Sequence, residues 1–255
     1  MAAPEAQELR APPGWRQVDF ISDLHLQASE PSTFEAWCRF MATTPADALF
    51  ILGDLFEVWV GDDELLEPGF AAGCADVLRA TAARIPVYFL HGNRDFLVGT
   101  GWAEATGVTV LEDPAVLAFA GGRWLLTHGD ALCLGDVDYL RFRAEVRQPA
   151  WQRAFLALPL GERRVIARGM RGHSEERKKA GAAYADVDAP SALEWMDAAG
   201  ASAMVHGHTH RPGEHQLDAS RRRIVLSDWE AEASPPRLEA LRVQSDGAVR
   251  RVALA

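Results

Sequence analysis

Short hydrophobic runs alternate with longer helical patterns along this chain. Apolar runs over 17–22, Ala48–Leu52 and Val87–Leu90 have the length and composition of buried strands. Apolar residues at helical spacing predict a helix over 33–42 and another over 70–84. This order of strands and helices predicts an α/β fold.

The rest of the chain divides into a second group of strands and a helical stretch. Residues 134–188 show no strand signal and several helical patterns, so we expect a helical insertion between two strands of the core. Residues 1–16 are rich in Ala and Pro and have no apolar segment typical of a signal peptide, which predicts a disordered leader. The predicted core is 17–133 together with 189–255. Its further strands are a hairpin of 116–120 with 123–127, then 203–205, 223–226 and 238–243.

Five of the predicted strands end directly in a polar cluster. Ligand sites in α/β sheets lie just beyond the strand ends, so we expect these clusters to meet at one place. A glycine beside the polar residue allows the backbone to turn sharply and to approach a ligand. The clusters are Asp23-Leu24-His25, Gly53-Asp54, His91-Gly92-Asn93-Arg94-Asp95, His128-Gly129-Asp130 and His206-Gly207-His208-Thr209-His210.

Carboxylates, imidazoles and one amide are the ligands that Mn²⁺, Zn²⁺ or Fe²⁺ prefer. The Asp-x-His and His-x-His spacings place two ligands on the same side of an extended segment. A carboxylate such as Asp54 can bridge two metals, which together acidify a shared water and hold a phosphate for in-line attack. Each cluster alone also fits an ordinary loop, and His91 and His206 fit interior histidines. Together the clusters predict a two-metal phosphoesterase with the ligands Asp23, His25, Asp54, Asn93, His128, His208 and His210.

The order of these motifs resembles the calcineurin-like metallophosphoesterase superfamily. The resemblance implies a four-layer α/β/β/α sandwich. It implies that one metal is bound by Asp23, His25, Asp54 and His210. The other metal would be bound by Asp54, Asn93, His128 and His208.

A closer resemblance is carried by the stretches FISDLHL, ILGDLFEVWVGDD, HGNRDFL, HGDALC, FLALPL and VHGHTHRP. They look like the UDP-2,3-diacylglucosamine diphosphatase family of lipid A synthesis, over a region from Val18 to Trp229. This resemblance implies cleavage of UDP-2,3-diacylglucosamine into UMP and 2,3-diacylglucosamine 1-phosphate, usually with two Mn²⁺. It also implies a peripheral position on the cytoplasmic face of the bacterial inner membrane.

Arg94 bears on the kind of bond that is cleaved. Many members of the superfamily carry His after the metal-binding Asn, where it can protonate an alkoxide leaving group. Arginine stays protonated and cannot act as a general acid, but its planar fork can hold phosphate oxygens. A phosphate leaving group, with a second pKa near 6, needs no proton donor. Asn93 and Arg94 are therefore the predicted catalytic residues beside the metals, and the expected bond is a pyrophosphate.

The insertion is the expected site for the lipid part of the substrate. Trp151, Phe155, Leu156 and Leu158 could form one apolar surface, followed by a basic stretch over 161–179. A basic, partly apolar helix suits an anionic membrane surface or a phosphorylated lipid, although a solvated helix packed on the core fits the same pattern. The substrate-binding residues implied by the resemblance are Asn93, Arg94, Asp136, Ser174, Lys178 and His208.

The sequence departs from that family after Ser174. The family typically has an Asn four residues on and a Lys three residues further. This chain lacks the Asn, and Lys178 or Lys179 is the candidate for the Lys.

Composition narrows the remaining alternatives. The net charge of −10 argues against a general nucleic-acid binder. Three widely spaced cysteines are typical of a reducing compartment. No obligate protein partner is indicated. The alternatives are a related dimetal phosphoesterase acting on another nucleotide or phospholipid, and a lipid-binding protein that keeps a relict site.

Overall fold

The computed structural model describes residues 3–179 and 185–254, with side chains outside 171–179. Strands and helices alternate through the first half, as the apolar runs predict. The strands are β1 (Gln7–Arg10), β2 (Gln17–Ile21), β3 (Ala48–Leu52), β4 (Val87–Leu90), β5 (Thr109–Val110), β6 (Ala115–Phe119), β7 (Gly122–Leu126), β8 (Ala203–His206), β9 (Gly213–Gln216), β10 (Arg222–Val225), β11 (Glu239–Gln244) and β12 (Val249–Ala253). The helices are α1 (Pro31–Thr43), α2 (Phe70–Ala82), α3 (Thr100–Thr106), α4 (Val137–Val146), α5 (Pro149–Leu156), α6 (Leu160–Lys179) and α7 (Ala189–Ala199).

The strands form two six-stranded sheets that pack face to face. One sheet has the order β12-β11-β2-β3-β4-β5, in which β2, β3, β4 and β5 run parallel. The other has the order β1-β6-β7-β8-β10-β9, in which β7, β8 and β10 run parallel. Their inner faces share one apolar core, which includes Phe20 and Phe50 from the first sheet and Leu126 and Val205 from the second.

Helices cover the outer faces of both sheets. Trp37 of α1, Leu78 of α2 and Trp102 of α3 are buried against the outer side of the first sheet. On the second sheet, Trp195 and Met196 of α7 fill the equivalent space. The predicted four-layer α/β/β/α sandwich is therefore confirmed. No helix within the described residues is both long and apolar enough to cross a membrane.

The prediction of a disordered leader is wrong for part of residues 1–16. Gln7–Arg10 form β1, which pairs in parallel with β6 over Ala115–Ala118. Its residues are mostly exposed and polar, so they lack the apolar run that marks a buried strand. The backbone hydrogen bonds to a distant partner hold this segment in place.

Helices α4, α5 and α6 lie in the region predicted to be a helical insertion. The predicted apolar surface is wrong in detail, because Trp151, Phe155 and Leu158 pack against the core beneath the insertion. Of those four side chains, only Leu156 is exposed, at 41%. The other exposed large apolar side chains described in 134–170 are Val137, Val165, Ile166 and Met170.

Two arginines in the basic stretch of α6 form contacts within the protein, whereas the sequence predicts a stretch that faces an anionic surface. Arg163 is buried, donates to the carbonyl oxygens of Leu158 and Val60, and pairs with Asp63. Arg164 pairs with Glu64 and Glu67. These two arginines therefore attach α6 to the core, instead of facing an anionic surface.

Candidate metal centre

The polar clusters lie at the carboxyl ends of parallel strands from both sheets. Asp23, Asp54 and Asn93 follow β2, β3 and β4 of the first sheet. His128 and His208 follow β7 and β8 of the second sheet. The two sheet edges meet here, so all seven predicted ligands come together although the chain separates them widely.

The backbone at this site is bent in an unusual way. A left-handed backbone costs a non-glycine residue roughly 1–2 kcal/mol, and such outliers concentrate at functional sites. Gly53, at φ 87°, allows the turn after β3, because a Cβ there would lie 2.6 Å from Gly92 Cα. Five of the seven predicted ligands have positive φ: Asp23 (53°), His25 (48°), Asp54 (52°), His208 (67°) and His210 (50°).

Asp23, His25 and His210 form one half of the cluster. His25 Nε2 lies 3.2 Å from His210 Nε2, which in turn lies 3.5 Å from Asp23 Oδ1. Ligand atoms of the three residues all lie within 4.8 Å of one another. Asp23 itself is fully buried and accepts hydrogen bonds from the backbone N–H of His208 and from the Ser22 hydroxyl. This half therefore directs two imidazoles and a fixed carboxylate at one point.

Asn93, His128 and His208 form the other half. Asn93 Oδ1 lies 3.0 Å from His128 Nε2 and 2.9 Å from His208 Nδ1. His128 Nδ1 lies 2.9 Å from the carbonyl oxygen of Leu52, which assigns the proton to Nδ1. The lone pair of His128 Nε2 is thereby directed into the cluster.

Asp54 lies between the two halves. Its Oδ2 is 3.9 Å from His25 Nε2, and its Oδ1 is 3.7 Å from His128 Nε2. Oδ1 also accepts a 2.8 Å hydrogen bond from the backbone N–H of Arg94. One carboxylate oxygen faces each half, which is the arrangement required of a bridging ligand.

The buried carboxylates give the cluster a strong affinity for positive charge. Burial opposes protonation of His128, but Asp54, Asp23 and Asp130 outweigh it and raise the pKa of His128 to about 9. Burial and the neighbouring His128 lower the pKa of His208 to about 4. Because metal ligands must give up their protons, a bound cation would take the place of the proton that these carboxylates attract.

Asp95 and Asp130 support the cluster in different ways. Asp95 is fully buried and accepts hydrogen bonds from the backbone N–H groups of Gly92 (2.8 Å) and Leu55 (2.7 Å). It thereby joins the turn after β3 to the turn after β4. Asp130 accepts hydrogen bonds from the side chains of Tyr139 and Arg143 on α4. Asp130 thus attaches the insertion to the turn after β7.

The predicted substrate contacts are only partly described. The Arg94 side chain is 17% exposed and borders the cluster, and its buried Nε has no hydrogen-bond partner among the described residues. Asp136 is the N-cap of α4, where it accepts from the backbone N–H of Tyr139. The Tyr139 ring lies 5.9 Å from the His208 ring, which places this end of α4 beside the site. Ser174 and Lys178 lie where side chains are outside the described residues.

Glu57 is a site residue that the sequence did not predict. Its Oε2 lies 3.1 Å from His25 Nδ1, and its Oε1 lies 3.6 Å from Arg94 Nη1. It is 8% exposed. The available signal was one acidic residue inside the apolar stretch Leu55–Val60, which follows Asp54 directly.

The donor set fits divalent transition metals. Three carboxylate or amide oxygens and four imidazole nitrogens are the mixture that such ions take. Two groups of three residues bring ligand atoms within 4.8 Å of one another, namely Asp23 with His25 and His210, and Asp23 with Asp54 and His128. The groups share Asp23, whereas the resemblance has Asp54 as the bridge. The orientation of the Asp54 oxygens favours Asp54, because each oxygen faces a different half.

A family model described as calcineurin-like phosphoesterase matches residues 16–212. The chain belongs to the calcineurin-like phosphoesterase family. Members of this family use divalent metal ions, and the cluster supplies suitable ligands at the expected place in the fold. The chain is thus a metal-dependent hydrolase by family.

Curated members of the calcineurin-like family resemble the chain over most of its length. A protein named UDP-2,3-diacylglucosamine hydrolase from Sodalis glossinidius is 45% identical over 233 residues, covering 89% of this chain and 94% of that protein. A protein of the same name from Escherichia coli O7:K1 is 42% identical, covering 87% and 94%. Another from Shewanella piezotolerans is 42% identical, covering 84% and 91%. The similarity therefore includes the insertion as well as the metal centre.

Proposed function

We propose that this protein hydrolyses the pyrophosphate bond of UDP-2,3-diacylglucosamine, releasing UMP and 2,3-diacylglucosamine 1-phosphate in lipid A synthesis. The observation that carries the proposal is Arg94 beside the dimetal ligand cluster. Its guanidinium cannot donate a catalytic proton, yet it keeps a buried donor without a partner among the described residues. Curated relatives that are 42% and 45% identical over most of the chain carry the corresponding name.

Seven side chains would hold two Mn²⁺ ions, one in each half of the cluster, with Asp54 between them. When bound, such ions lower the pKa of a water molecule and polarise phosphate oxygens. Asn93 and Arg94 would stabilise the charge that develops on the phosphate during attack at the α-phosphorus. The backbone hydrogen bond from Arg94 to Asp54 fixes Arg94 relative to the proposed bridging ligand.

The substrate's diacyl sugar would lie against the insertion, near Asp136, Ser174, Lys178 and His208. Tyr139 supports this direction, because its ring packs beside His208 at the start of α4. Exposed apolar side chains on the insertion support contact with acyl chains or with a membrane surface. They are Val137 (52%), Leu156 (41%), Val165 (60%), Ile166 (36%) and Met170 (40%).

The proposal is tested by incubating purified protein and Mn²⁺ with UDP-2,3-diacylglucosamine and measuring UMP release. Asn93→Ala and His128→Ala should each lower turnover by about 100-fold or more, because each removes a ligand or a charge-stabilising group. His215→Ala is the matched control, since this histidine is exposed on β9. Hydrolysis of simple phosphodiesters without UMP release would overturn the proposed substrate and leave the family chemistry intact.

We also propose that the protein binds peripherally to the cytoplasmic face of the inner membrane. The exposed apolar side chains of the insertion support this position. Val165→Ser combined with Ile166→Ser should weaken co-sedimentation with vesicles that contain anionic phospholipid. Leu66→Ser is the control, because Leu66 is 83% exposed but lies outside the insertion. Equal losses in both variants, or no loss, would contradict an insertion-specific membrane contact.

A further inference from the structure

Glu57 lies between His25, a predicted metal ligand, and Arg94, the predicted phosphate-binding residue. It lies just after the turn that carries Asp54, and both of its carboxylate oxygens face residues of the site. Oε2 is 3.1 Å from His25 Nδ1, and Oε1 is 3.6 Å from Arg94 Nη1. A single buried carboxylate therefore contacts a proposed metal ligand and the proposed phosphate-binding arginine.

The His25 contact determines which ring nitrogen can bind a metal. His25 Nε2 faces the cluster, 3.2 Å from His210 Nε2 and 3.9 Å from Asp54 Oδ2. His25 Nδ1 faces away from the cluster, toward Glu57. The 3.1 Å contact is an ion-pair distance without hydrogen-bond geometry. A carboxylate this close to Nδ1 still favours the tautomer with a proton on that nitrogen, which leaves the Nε2 lone pair available to a metal.

The second contact of Glu57 is an ion pair with the Arg94 guanidinium. The Arg94 main chain is fixed by its hydrogen bond to Asp54, but that bond does not orient the long side chain. Glu57 is the charged side chain that comes within 4 Å of the guanidinium among the described residues. Arg94 Nε is buried and keeps its donor unused within the same part of the structure. At 3.6 Å the pair is an ion pair without a hydrogen bond, so Glu57 attracts the Nη1 side of the guanidinium and leaves its donors available to phosphate oxygens.

A carboxylate beside an anion-binding centre requires compensation. An uncompensated Glu57 carboxylate would repel a phosphate, and the nearby Arg94 guanidinium reduces this repulsion. A purely structural acid would more often be found at the surface, because an unpaired buried carboxylate is costly. The contacts with His25 and Arg94 compensate part of the buried charge and direct it toward residues that the proposed reaction uses.

We propose that Glu57 is a positioning residue that sets the orientation of His25 for metal binding and of Arg94 for phosphate binding. This inference rests on the proposed function of those two residues and adds a third residue that couples them. Glu57 touches neither the metals nor the reacting bond in this assignment. Its removal should therefore impair two separable properties, metal affinity and phosphate binding, by acting through different neighbours.

The test compares Glu57→Ala and Glu57→Gln with the wild-type protein. Manganese affinity of the metal-stripped proteins is measured by calorimetry, and UMP release is measured at saturating Mn²⁺. Glu57→Ala should weaken Mn²⁺ binding by about 10-fold or more, in line with other residues that orient metal-bound histidines. Glu57→Gln should recover part of that loss, because it keeps a side chain of the same size whose amide oxygen lies near His25 Nδ1 as an acceptor. Glu64→Gln is the matched control, since Glu64 is nearby but contacts Arg164 and the backbone N–H of Val60.

A double-mutant cycle separates the Arg94 role from the metal role. At saturating Mn²⁺, Glu57→Gln and Arg94→Lys should each raise KM, and the combined variant should show less than the sum of the two effects. Additive effects together with unchanged Mn²⁺ affinity in Glu57→Ala would overturn the inference. Wild-type protein that neither binds Mn²⁺ nor releases UMP would instead refute the proposed function, so the two failures are distinguishable.

Discussion

At the scale of single residues, the site combines strained backbone with fixed side chains. The turns after β2, β3 and β8 place Asp23, Asp54 and His208 in the left-handed region, with φ between 52° and 67°. Fully buried Asp95 joins the turn after β3 to the turn after β4 by accepting the backbone N–H groups of Leu55 and Gly92. The cost of the strained residues is therefore offset by hydrogen bonds within the turns and by apolar packing below them.

Arg94 gives the sharpest prediction at this scale. Arg94→Lys keeps the positive charge but loses the planar fork, so kcat/KM for the pyrophosphate substrate should fall about 10- to 100-fold. Arg94→Ala should lose more, because no cation then faces the phosphate. Steady-state UMP release at saturating Mn²⁺ measures both variants, with Arg10→Lys as an exposed control.

The leaving group supplies a second readout for Arg94. A phosphate leaves without a proton, whereas an alcohol needs a general acid that arginine cannot provide. The wild-type protein should therefore cleave the pyrophosphate far faster than an alkyl phosphomonoester at the same pH. Comparable rates on both substrates would show that Arg94 does not determine the bond.

At the scale of elements, the sequence predicts interior strands better than edge strands. The prediction for β3 and β4 matches their observed bounds, and that for β2 differs by one residue, because these strands are buried apolar runs. The sequence missed the outermost strands of both sheets, which have exposed or very short segments without such a run. Their partners are distant in the chain, so no local pattern reveals the pairing. The four missed strands are β1, β5, β9 and β12.

Helical spacing in the insertion predicts helices but not the face that packs on the core. Phe155 and Arg163 of the insertion are both buried, although one is apolar and the other is charged. Arg163 is accommodated by carbonyl oxygens and by Asp63, contacts that depend on the fold. For the same reason Glu57 could not be assigned, since its contacts arise only when the turns after β2, β3 and β4 come together.

The connection from the insertion back to the core has a pH-dependent ion pair. Asp186 receives two hydrogen bonds, of 2.7 and 2.8 Å, from Arg223 of β10, and these lower the pKa of Asp186 to about 2. A carboxylate with a lowered pKa stabilises the folded state above its unfolded pKa near 4, and the contribution disappears as the pH falls toward 2. Because the Asp186 side chain is 37% exposed, solvent screening limits the effect.

Asp186→Asn should lower the free energy of unfolding by about 1 kcal/mol at pH 7. The difference from the wild type should shrink as the pH is lowered from 4 toward 2. Urea denaturation at pH 7, 5 and 3 measures it, with Asp138→Asn as an exposed control. A difference that stays constant over this range would contradict the ion-pair explanation.

At the scale of the whole molecule, the metal centre lies where two sheets meet. The first sheet supplies Asp23, Asp54 and Asn93, and the second supplies His128 and His208. Residue order and strand ends were sufficient to predict that these clusters converge. They could not show that the convergence lies between two sheets, and the contact between Asp54 and both halves depends on that arrangement.

Metal binding should therefore stabilise the whole sandwich by joining both sheets. A ligand that binds only the folded state adds about 2.7 kcal/mol when its free concentration is 100 times its Kd. For a chain of this size that corresponds to a rise in Tm of about 5–10 °C. Differential scanning calorimetry of chelator-treated protein, with and without added Mn²⁺, measures the shift. The Tm should rise further as the Mn²⁺ concentration increases.

Asp54→Asn should remove most of this Mn²⁺-dependent shift, because Asp54 faces both halves of the cluster. The comparison uses the Mn²⁺-dependent shift and not the absolute Tm, because Asp54 also compensates buried His128 and accepts from the backbone N–H of Arg94 in the metal-free protein. Asp138→Asn, at an exposed position on α4, should keep the full shift. A Tm of the wild type that does not respond to Mn²⁺ would mean that the seven side chains do not bind the ion in the folded state. An unchanged shift in Asp54→Asn would instead mean that the two sheets are joined through Asp23, the carboxylate shared by both three-residue groups.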